Sequence, residues 1–367
     1  MLAGDWQKMT AELIRDRGEI ARLRSAWQRL AAASLEPSGL NAPEMILPIL
    51  SRTHGGELMT VGQAGELLFA LPVSSYNFPL PYRSDLVSPL TLMGLPHIDS
   101  ELASAAIAEM LAALDQPLQL NSLPVDGPFY QTISREAPRF QVIESYSRAA
   151  LNVSGSFETW FETNFERKRR KEYRRLRTRL GEEGKLEILS LAEGDDPAAW
   201  VTEHLALEAA GWKGAKRTAI AAYPDMAFAL ADGARGLHAA GKLRFWKIHI
   251  DGKPIAMMYA IVEGSNTWLC KIAYNEAYAR FSPGVLLLLD ATEALFNDPS
   301  IKFADSCAIP NHPMIDNIWR DRIKVADILL APKQVSAVRF KTTFFALTSE
   351  RKARAATKSI LQRFSKR

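Results

Sequence analysis

The segment 278–289 constrains this chain more than any other. Ser282-Pro283-Gly284 opens directly into the apolar run 285–289, with a strand pattern before it at 267–274 and another after it at 301–305. Strand, turn, helix, strand aims free backbone N–H groups at an anionic ligand. The first helical turn has unpaired donors and the positive end of the peptide dipole. Ser282 suits an N-cap, and Pro283 suits the first helical position, where a missing N–H costs nothing. Arg280 adds a fixed positive charge two residues earlier. The bland alternative is an ordinary strand-to-helix turn, since Ser-Pro begins many helices.

At 367 residues the chain has room for about two domains. Its 47% apolar and 23% charged content is that of a globular protein. Two cysteines, Cys270 and Cys307, make no disulfide framework, and no Cys/His spacing suits zinc. The N-terminus lacks the basic-then-apolar pattern of a secretion signal, and no apolar run reaches the roughly 18 residues of a membrane span. A cytoplasmic protein without a metal is expected. The net charge of +4 is uneven. Residues 334–367 hold nine basic side chains against Glu350 alone, so the tail carries +8 and the body, by difference, −4. That imbalance argues against a nucleic-acid-binding body.

Periodicity predicts one long helix over 5–33, ended by Pro37-Ser38-Gly39. A first domain over 40–152 follows, with strands at 57–61, 66–73, 117–123 and 145–152 and a helix at 101–114. The proline- and aromatic-rich stretch 77–96 reads as loop or edge structure. The second domain, 153–332, begins with a very basic helix over 157–183. It continues with a strand at 185–191 and helices at 195–210 and 223–240. A three-strand meander at 243–250, 254–262 and 267–274 comes next, then helix 283–297, strand 301–306, helix 312–320 and strand 324–330. The tail, 333–367, alternates basic residues with Phe340, Phe344, Phe345, Leu347, Ile360, Leu361 and Phe364. That composition suits an anionic membrane surface, or a helix packed on the body. No internal repeat is visible at the residue level.

Several stretches together resemble the GNAT acetyltransferase superfamily: Phe165-Glu-Arg-Lys-Arg-Arg-Lys-Glu-Tyr-Arg-Arg-Leu-Arg177, Leu207-Glu-Ala-Ala-Gly-Trp-Lys213, Asp251-Gly-Lys-Pro-Ile-Ala256, Tyr274-Asn-Glu-Ala-Tyr-Ala-Arg-Phe-Ser-Pro-Gly284 and Phe303-Ala-Asp305. They resemble in particular the branch with two GNAT-like halves, like the FemAB peptidoglycan enzymes and the cellulose-biosynthesis acetyltransferases. The resemblance spans about 40–330 and is stronger in the second half. It implies an α/β fold with mixed central sheets flanked by helices, a degenerate first domain, and an acyl-CoA-binding second domain.

Acyl transfer from a thioester to an amine needs three things: a grip on the pyrophosphate arm, polarisation of the thioester carbonyl, and removal of the amine proton. Lys271, Arg280, Ser282, Pro283, Gly284 and Val285 are the expected donor-binding residues. Tyr274, Asp305 and His312 are the candidate catalytic residues, because they lie at or after the carboxyl ends of strands. Lys271 and Tyr274, three apart on one strand, should point to opposite faces unless a bulge intervenes. Trp212, Lys213, Trp319 and Arg322 are the candidate acceptor contacts, with core packing and surface charge as plainer roles for the last two. The superfamily's tyrosine on the helix after the penultimate strand has no counterpart in 312–320, so its role is not carried over. A covalent role for Cys307 is weighed against a buried thiol. The basic helix has three readings: a solvated face, a phosphate-neutralising one, or an RNA-binding one that its single Tyr173 supports poorly. The expected activity is N-acyl transfer from acyl-CoA to a lipid amine such as a sphingoid base, as in bacterial ceramide synthesis, on the inner face of the cell membrane. Two alternatives stay open: acetylation of surface-polysaccharide amino sugars, and a GNAT fold that has lost its chemistry.

Overall fold

The structure is a computed structural model, and it describes residues 8–53, 55–78 and 80–364, without the side chains of 355 and 358–364. Its strands are β1 (Thr10–Ile14), β2 (Gly56–Gln63), β3 (Glu66–Tyr76), β4 (Tyr82–Asp85), β5 (His97–Ile98), β6 (Leu118–Pro124), β7 (Arg139–Asn152), β8 (Leu186–Ser190), β9 (Leu243–Ile250), β10 (Lys253–Glu263), β11 (Asn266–Tyr274), β12 (Phe303–Asp305) and β13 (Asp321–Ala331). The helices are α1 (Arg17–Arg22), α2 (Arg24–Ala32), α3 (Pro43–Arg52), α4 (Ala103–Ala113), α5 (Pro128–Glu136), α6 (Phe157–Asn164), α7 (Arg167–Gly181), α8 (Pro197–Ala210), α9 (Trp212–Ala215), α10 (Pro224–Ala239), α11 (Pro283–Asn297) and α12 (Ala337–Phe364).

All the strands join one mixed sheet in the order β1-β2-β3-β4-β6-β13-β7-β12-β11-β10-β9-β8, with β5 attached to β3. The two halves follow one plan. β2–β3 and β3–β4 are antiparallel pairs, α4 follows, and β6 returns parallel to β4. Likewise β9, β10 and β11 are antiparallel, α11 follows, and β12 returns parallel to β11. The halves exchange their last strands at the centre. β7 closes the first half in sequence but pairs with β12, while β13 closes the second half but pairs with β6. The long antiparallel β7–β13 ladder locks them together, so the sheet runs without a break through the expected boundary at 152/153.

Burial follows alternation along the central strands. Met257, Tyr259, Ile261 and Trp268 pack against the core under α3, α8 and α10. Met258, Ala260, Val262 and Leu269 pack on the other face, with Leu286, Leu287 and Leu288 of α11 and with Tyr173, Leu176 and Leu180 of α7.

Three expected elements differ. Residues 5–33 are not one helix: residues 10–14 pair with β2 as an edge strand, and Asp16 then caps α1 by accepting the Glu19 N–H at 2.7 Å. Trp6 lies outside the described residues. The basic helix breaks at Phe165-Glu166 into α6 and α7. Residues 312–320 hold only a 3-10 turn at Ile315–Asn317. The stretch 77–96 contributes β4, and α5 forms where no element was expected.

Candidate active site

β11 and β12 pair only from Asn266–Trp268 to Phe303–Asp305 and then part. Beyond Trp268, β11 continues six residues with no partner on that side, while the chain after β12 bends toward β7, where the Ser306 N–H meets the Ala149 carbonyl at 3.2 Å. The parity of the β10–β11 ladder fixes what faces the opening. The Asn275 N–H bonds the Ile255 carbonyl at 2.8 Å, so the polar backbone groups of Lys271 and Ala273 point at β10 and those of Ile272 and Tyr274 point away from it. A parting of two parallel strands thus leaves N–H donors aimed into a cleft at their carboxyl ends.

On one side of this cleft lies the start of α11. Pro283 stands at the first helical position, as expected. Ser282 is the N-cap residue but adopts left-handed backbone (φ 51°, ψ 51°), and its side chain caps nothing. Its carbonyl takes the N–H groups of Val285 and Leu286 at 2.9 and 3.1 Å, so Gly284 is the residue of the first turn whose N–H stays free. The donor set is narrower than the turn sequence implied. A β-carbon on Gly284 would stand 3.4–3.5 Å from Ile272, Tyr274 and Met314, so this glycine borders the cleft directly. Arg280 reaches both carboxylate oxygens of Glu183 at 2.9 and 3.0 Å and lies 4.6 Å over the Phe281 ring. It is 61% exposed and can exchange that partner for another anion. The carboxyl end of α7 packs on the same turn, with Arg179 also over the Phe281 ring at 5.9 Å.

The first half treats the equivalent place differently. Before α4, Asp99 Oδ1 accepts the Glu101 and Leu102 N–H groups at 3.0 and 2.9 Å. The protein's own carboxylate occupies the anion position there, and only the second half keeps it open.

On the other side of β11 a polar cluster lies under α8 and α9. The β10–β11 register slips at Cys270, but no bulge falls between Lys271 and Tyr274, so these two do take opposite faces. Lys271 therefore faces α8 rather than the Ser282 turn, which corrects its expected grouping with the donor-binding residues. Burial, reinforced by Lys213 and only partly offset by Glu208, pulls its pKa below the ordinary lysine value. Lys213 bridges the cleft edge, donating to Glu208 Oε1 at 2.9 Å and to the outward-facing Ile272 carbonyl at 3.2 Å. Glu208 is buried and also accepts the Ile220 N–H at 2.8 Å. Burial alone would raise its carboxyl, but that N–H and Lys213 hold it below the usual range. His204 is fully buried beside Phe245 and Tyr259, with no hydrogen bond of good geometry at either ring nitrogen. Its pKa falls to about 4, chiefly through burial. Trp212 stands at the mouth, half exposed, with its backbone N–H on Glu276 and Lys216 over its ring.

Other expected residues have different employment. Asp305 forms a buried ion pair with Arg148 at 2.6 Å and also accepts the Cys307 N–H, so both oxygens are engaged and it is poorly placed as a base. His312 Nδ1 accepts the Met314 and Ile315 N–H groups at 3.3 Å, which puts the proton of the neutral ring on Nε2. That atom is a donor, not a base. Trp319 is fully buried and donates to Thr292, so it belongs to the core and not to an acceptor contact. Arg322 binds the carbonyls of Trp319 and Asp321, a local clamp at the start of β13. Burial and Asp305 raise the Cys307 thiol well above its normal value, against a nucleophilic role. Of the three catalytic candidates, Asp305 has both oxygens engaged and His312 its Nδ1, while the Tyr274 ring lies beside Gly284 with no hydrogen bond at its hydroxyl among the described residues. Sequence reasoning missed Glu208, His204 and Arg148. Glu208 lies inside the motif 207–213, five residues before Lys213 across a helix end, which was the available signal.

Residues 167–305 match the family model described as the acetyltransferase (GNAT) domain. No curated protein matches the chain. Among solved structures, FemX aligns with a TM-score of 0.54 at 11% identity, over 85% of this chain and 96% of that one. The C-terminal domain of a proposed lysylphosphatidylglycerol synthetase from Agrobacterium fabrum aligns at 0.56 and 11%, over 89% and 96%. L-PGS from Bacillus licheniformis aligns at 0.50 and 9%, over 87% and 98%. At such identities the likeness is one of fold. The chain has a GNAT-type acyltransferase fold.

Proposed function

We propose that this chain is an N-acyltransferase that takes an acyl group from a CoA thioester and passes it to the amine of a lipid such as a sphingoid base. The observation that carries the donor half of this reading is the parting of β11 from β12 beside the uncapped start of α11. Pyrophosphate is to rest on the Gly284 N–H and exchange onto Arg280, while the backbone N–H groups of Ile272 and Tyr274 line the path of the thioester. Preorganised donors of this kind are worth about 10²–10³ in rate each. CoA is the group that makes the acyl carbon electrophilic and leaves as a thiol.

The two faces of β11 suggest a division of labour. Tyr274, on the α11 face, is the proton donor to the leaving sulfur in place of the tyrosine absent from 312–320. Lys271, on the α8 face, is the group that takes the proton of the attacking amine, acting as the free amine that its lowered pKa makes more accessible and becoming the ammonium. Lys213 and Glu208 hold the loop that carries Trp212 over that side, as positioning residues.

For a lipid acceptor the support comes from α12. Its inner face docks on the body through Phe340 and Leu347, as the packed-helix alternative for the tail has it. Its outer face keeps Val338 and Phe345 exposed (75% and 65%) in one stripe with Lys341 and Lys352, which have no partner among the described residues. Ile360, Leu361 and Phe364 lie outside the described side chains. No helix among the described residues is long and apolar enough to cross a membrane. Apolar and basic side chains on one helix face suit peripheral contact with an anionic leaflet, in the cytoplasm at the inner face of the cell membrane.

The test is direct. Purified protein with a long-chain acyl-CoA and a sphingoid base should yield the N-acyl product and free CoA, and saturating CoA should raise the melting temperature. No CoA stabilisation at millimolar ligand would remove the donor assignment. Stabilisation without product from any lipid amine, but turnover with glucosamine, would move the acceptor to amino sugars.

A further inference from the structure

The first half has its own parting of parallel strands, bridged there by the Asp85 carboxylate on the Asn121 N–H and by the Gly94 N–H on the Asn121 carbonyl, with a cavity beside the bridge. β4 and β6 pair only at Arg83–Leu118 and Ser84–Gln119. Beyond them lies a cavity of about 300 Å3 whose polar lining includes Asp85, Asn121 and Gln119, walled by Tyr76 and Tyr82 and roofed by Arg351 of α12. β4 and β11 run in opposite directions through the ladder, so this cavity opens away from the thioester cleft, about five strand spacings or roughly 24 Å across the sheet. It is a separate site.

Asp85 is its centre. The side chain is 4% exposed, and Oδ1 accepts the Asn121 side chain at 2.5 Å, the Asn121 N–H at 3.2 Å and the Ser84 hydroxyl at 3.1 Å. Oδ2 has no partner among the described residues. Nearby cations are already answered: Arg351 by Asp327, Glu144 and the Asn121 amide oxygen, Arg354 by Glu350. Burial therefore pushes the Asp85 carboxyl up to about 7. Much of the surroundings exists to keep it there. A β-carbon on Gly94 would meet Asp85 at 2.8 Å, so the covering loop passes closely over the carboxylate only with glycine at that position. Ser122 takes left-handed backbone (φ 55°) to give its N–H to Asp327 at 2.6 Å, a strain of the kind that collects at functional positions. Tyr76 and Tyr82 stack with ring centroids 5.1 Å apart and 13° between planes. An aromatic wall attracts cations and C–H edges, and an unanswered buried carboxylate calls for a charged or hydroxyl donor.

We propose that this cavity binds a small hydroxylated amine: the ammonium on Asp85 Oδ2, a hydroxyl on the Gln119 amide oxygen, whose nitrogen is held by Asn121, and the carbon skeleton against Tyr76. An amino sugar ring and an open-chain amino-diol share this chemistry and fit the volume. The site needs neither CoA nor the reaction proposed for the second half.

Calorimetric titration of the full chain with glucosamine and, separately, 2-amino-1,3-propanediol tests the idea, with glucose and N-acetylglucosamine as uncharged controls. Saturable one-to-one binding of at least one amine is expected. Asp85→Asn should weaken it about tenfold or more, as loss of a charge-assisted hydrogen bond does, and Tyr76→Ala should weaken it while keeping the fold. The better amine identifies the source. Binding of neither amine, equal binding of the uncharged controls, or undiminished binding by both variants overturns the proposal. Prior addition of CoA should leave the affinity unchanged, and competition by CoA would show that the ligand sits in the other cleft.

Discussion

Arg148 and Asp305 meet at 2.6 Å with side chains only 2% and 1% exposed, tying β7 to the end of β12 where the cleft opens. Burial opposes the guanidinium's charge most strongly, but the charge and hydrogen bond of Asp305, with the nearby Cys307 and Tyr146, together outweigh it and raise the arginine's pKa. Asp305→Ala leaves a buried cation uncompensated, a loss of about 3–5 kcal/mol. Urea unfolding should show this loss. If Asp305 were the catalytic base instead, the variant would be nearly as stable as the parent and inactive. Asp305→Asn should fall between, since it keeps one acceptor for Arg148.

Lys271→Arg separates the base from a merely cationic role. Arginine keeps the charge beside Glu208 but does not give up its proton near neutrality. A drop in kcat of about 10²–10⁴ with KM little changed is expected for loss of general-base catalysis. In the parent, the acidic limb of the pH–rate profile should lie below the ordinary lysine value, because burial and Lys213 lower that pKa. Full activity in Lys271→Arg would reassign the proton to solvent.

How much of this was readable beforehand depends on sequence distance. The meander and α11 came out nearly residue for residue, because alternation and the Ser-Pro-Gly turn are local signals. Lys271 and Tyr274 were correctly put on opposite faces for the same reason. Arg148 was not found, because its partner is 157 residues away and only the exchanged β7–β12 pairing joins them. The two halves were expected from the resemblance, but the repeat left no trace in the residues because it lies in strand directions: Asp99 caps the helix start in one half where the other leaves it open. Residues 312–320 read as a helix from local pattern but hold a single 3-10 turn, with Ile318 and Trp319 both drawn into the core, a tertiary contact the local pattern does not carry.

Glu183 competes with the ligand for Arg280. Glu183→Gln should tighten CoA binding by about two- to fivefold at low salt, and the gain should shrink as ionic strength rises, since the pair is exposed and screened. Arg280→Ala should weaken CoA binding and flatten its salt dependence. Titrations at two salt concentrations read both effects. Equal affinity for CoA in the two variants would take Arg280 out of the donor site.

His204 makes the fold sensitive to acid. Its ring stays neutral when folded down to about pH 4, whereas in the unfolded chain it gains a proton near its ordinary 6.5. The unfolded state thus binds more protons between those values, so stability is present above about 6.5 and falls as pH drops toward 4. At pH 5 the loss attributable to this histidine is about 2 kcal/mol. His204→Leu removes it along with two ring nitrogens that lack partners. The variant should be close to the parent in stability at pH 7.5 and gain about 2 kcal/mol over it at pH 5, read as the change in unfolding free energy between the two pH values. Parallel pH dependence in parent and variant would mean that another buried group sets the acid limit, with His97, whose pKa burial lowers to about 3, the next to replace.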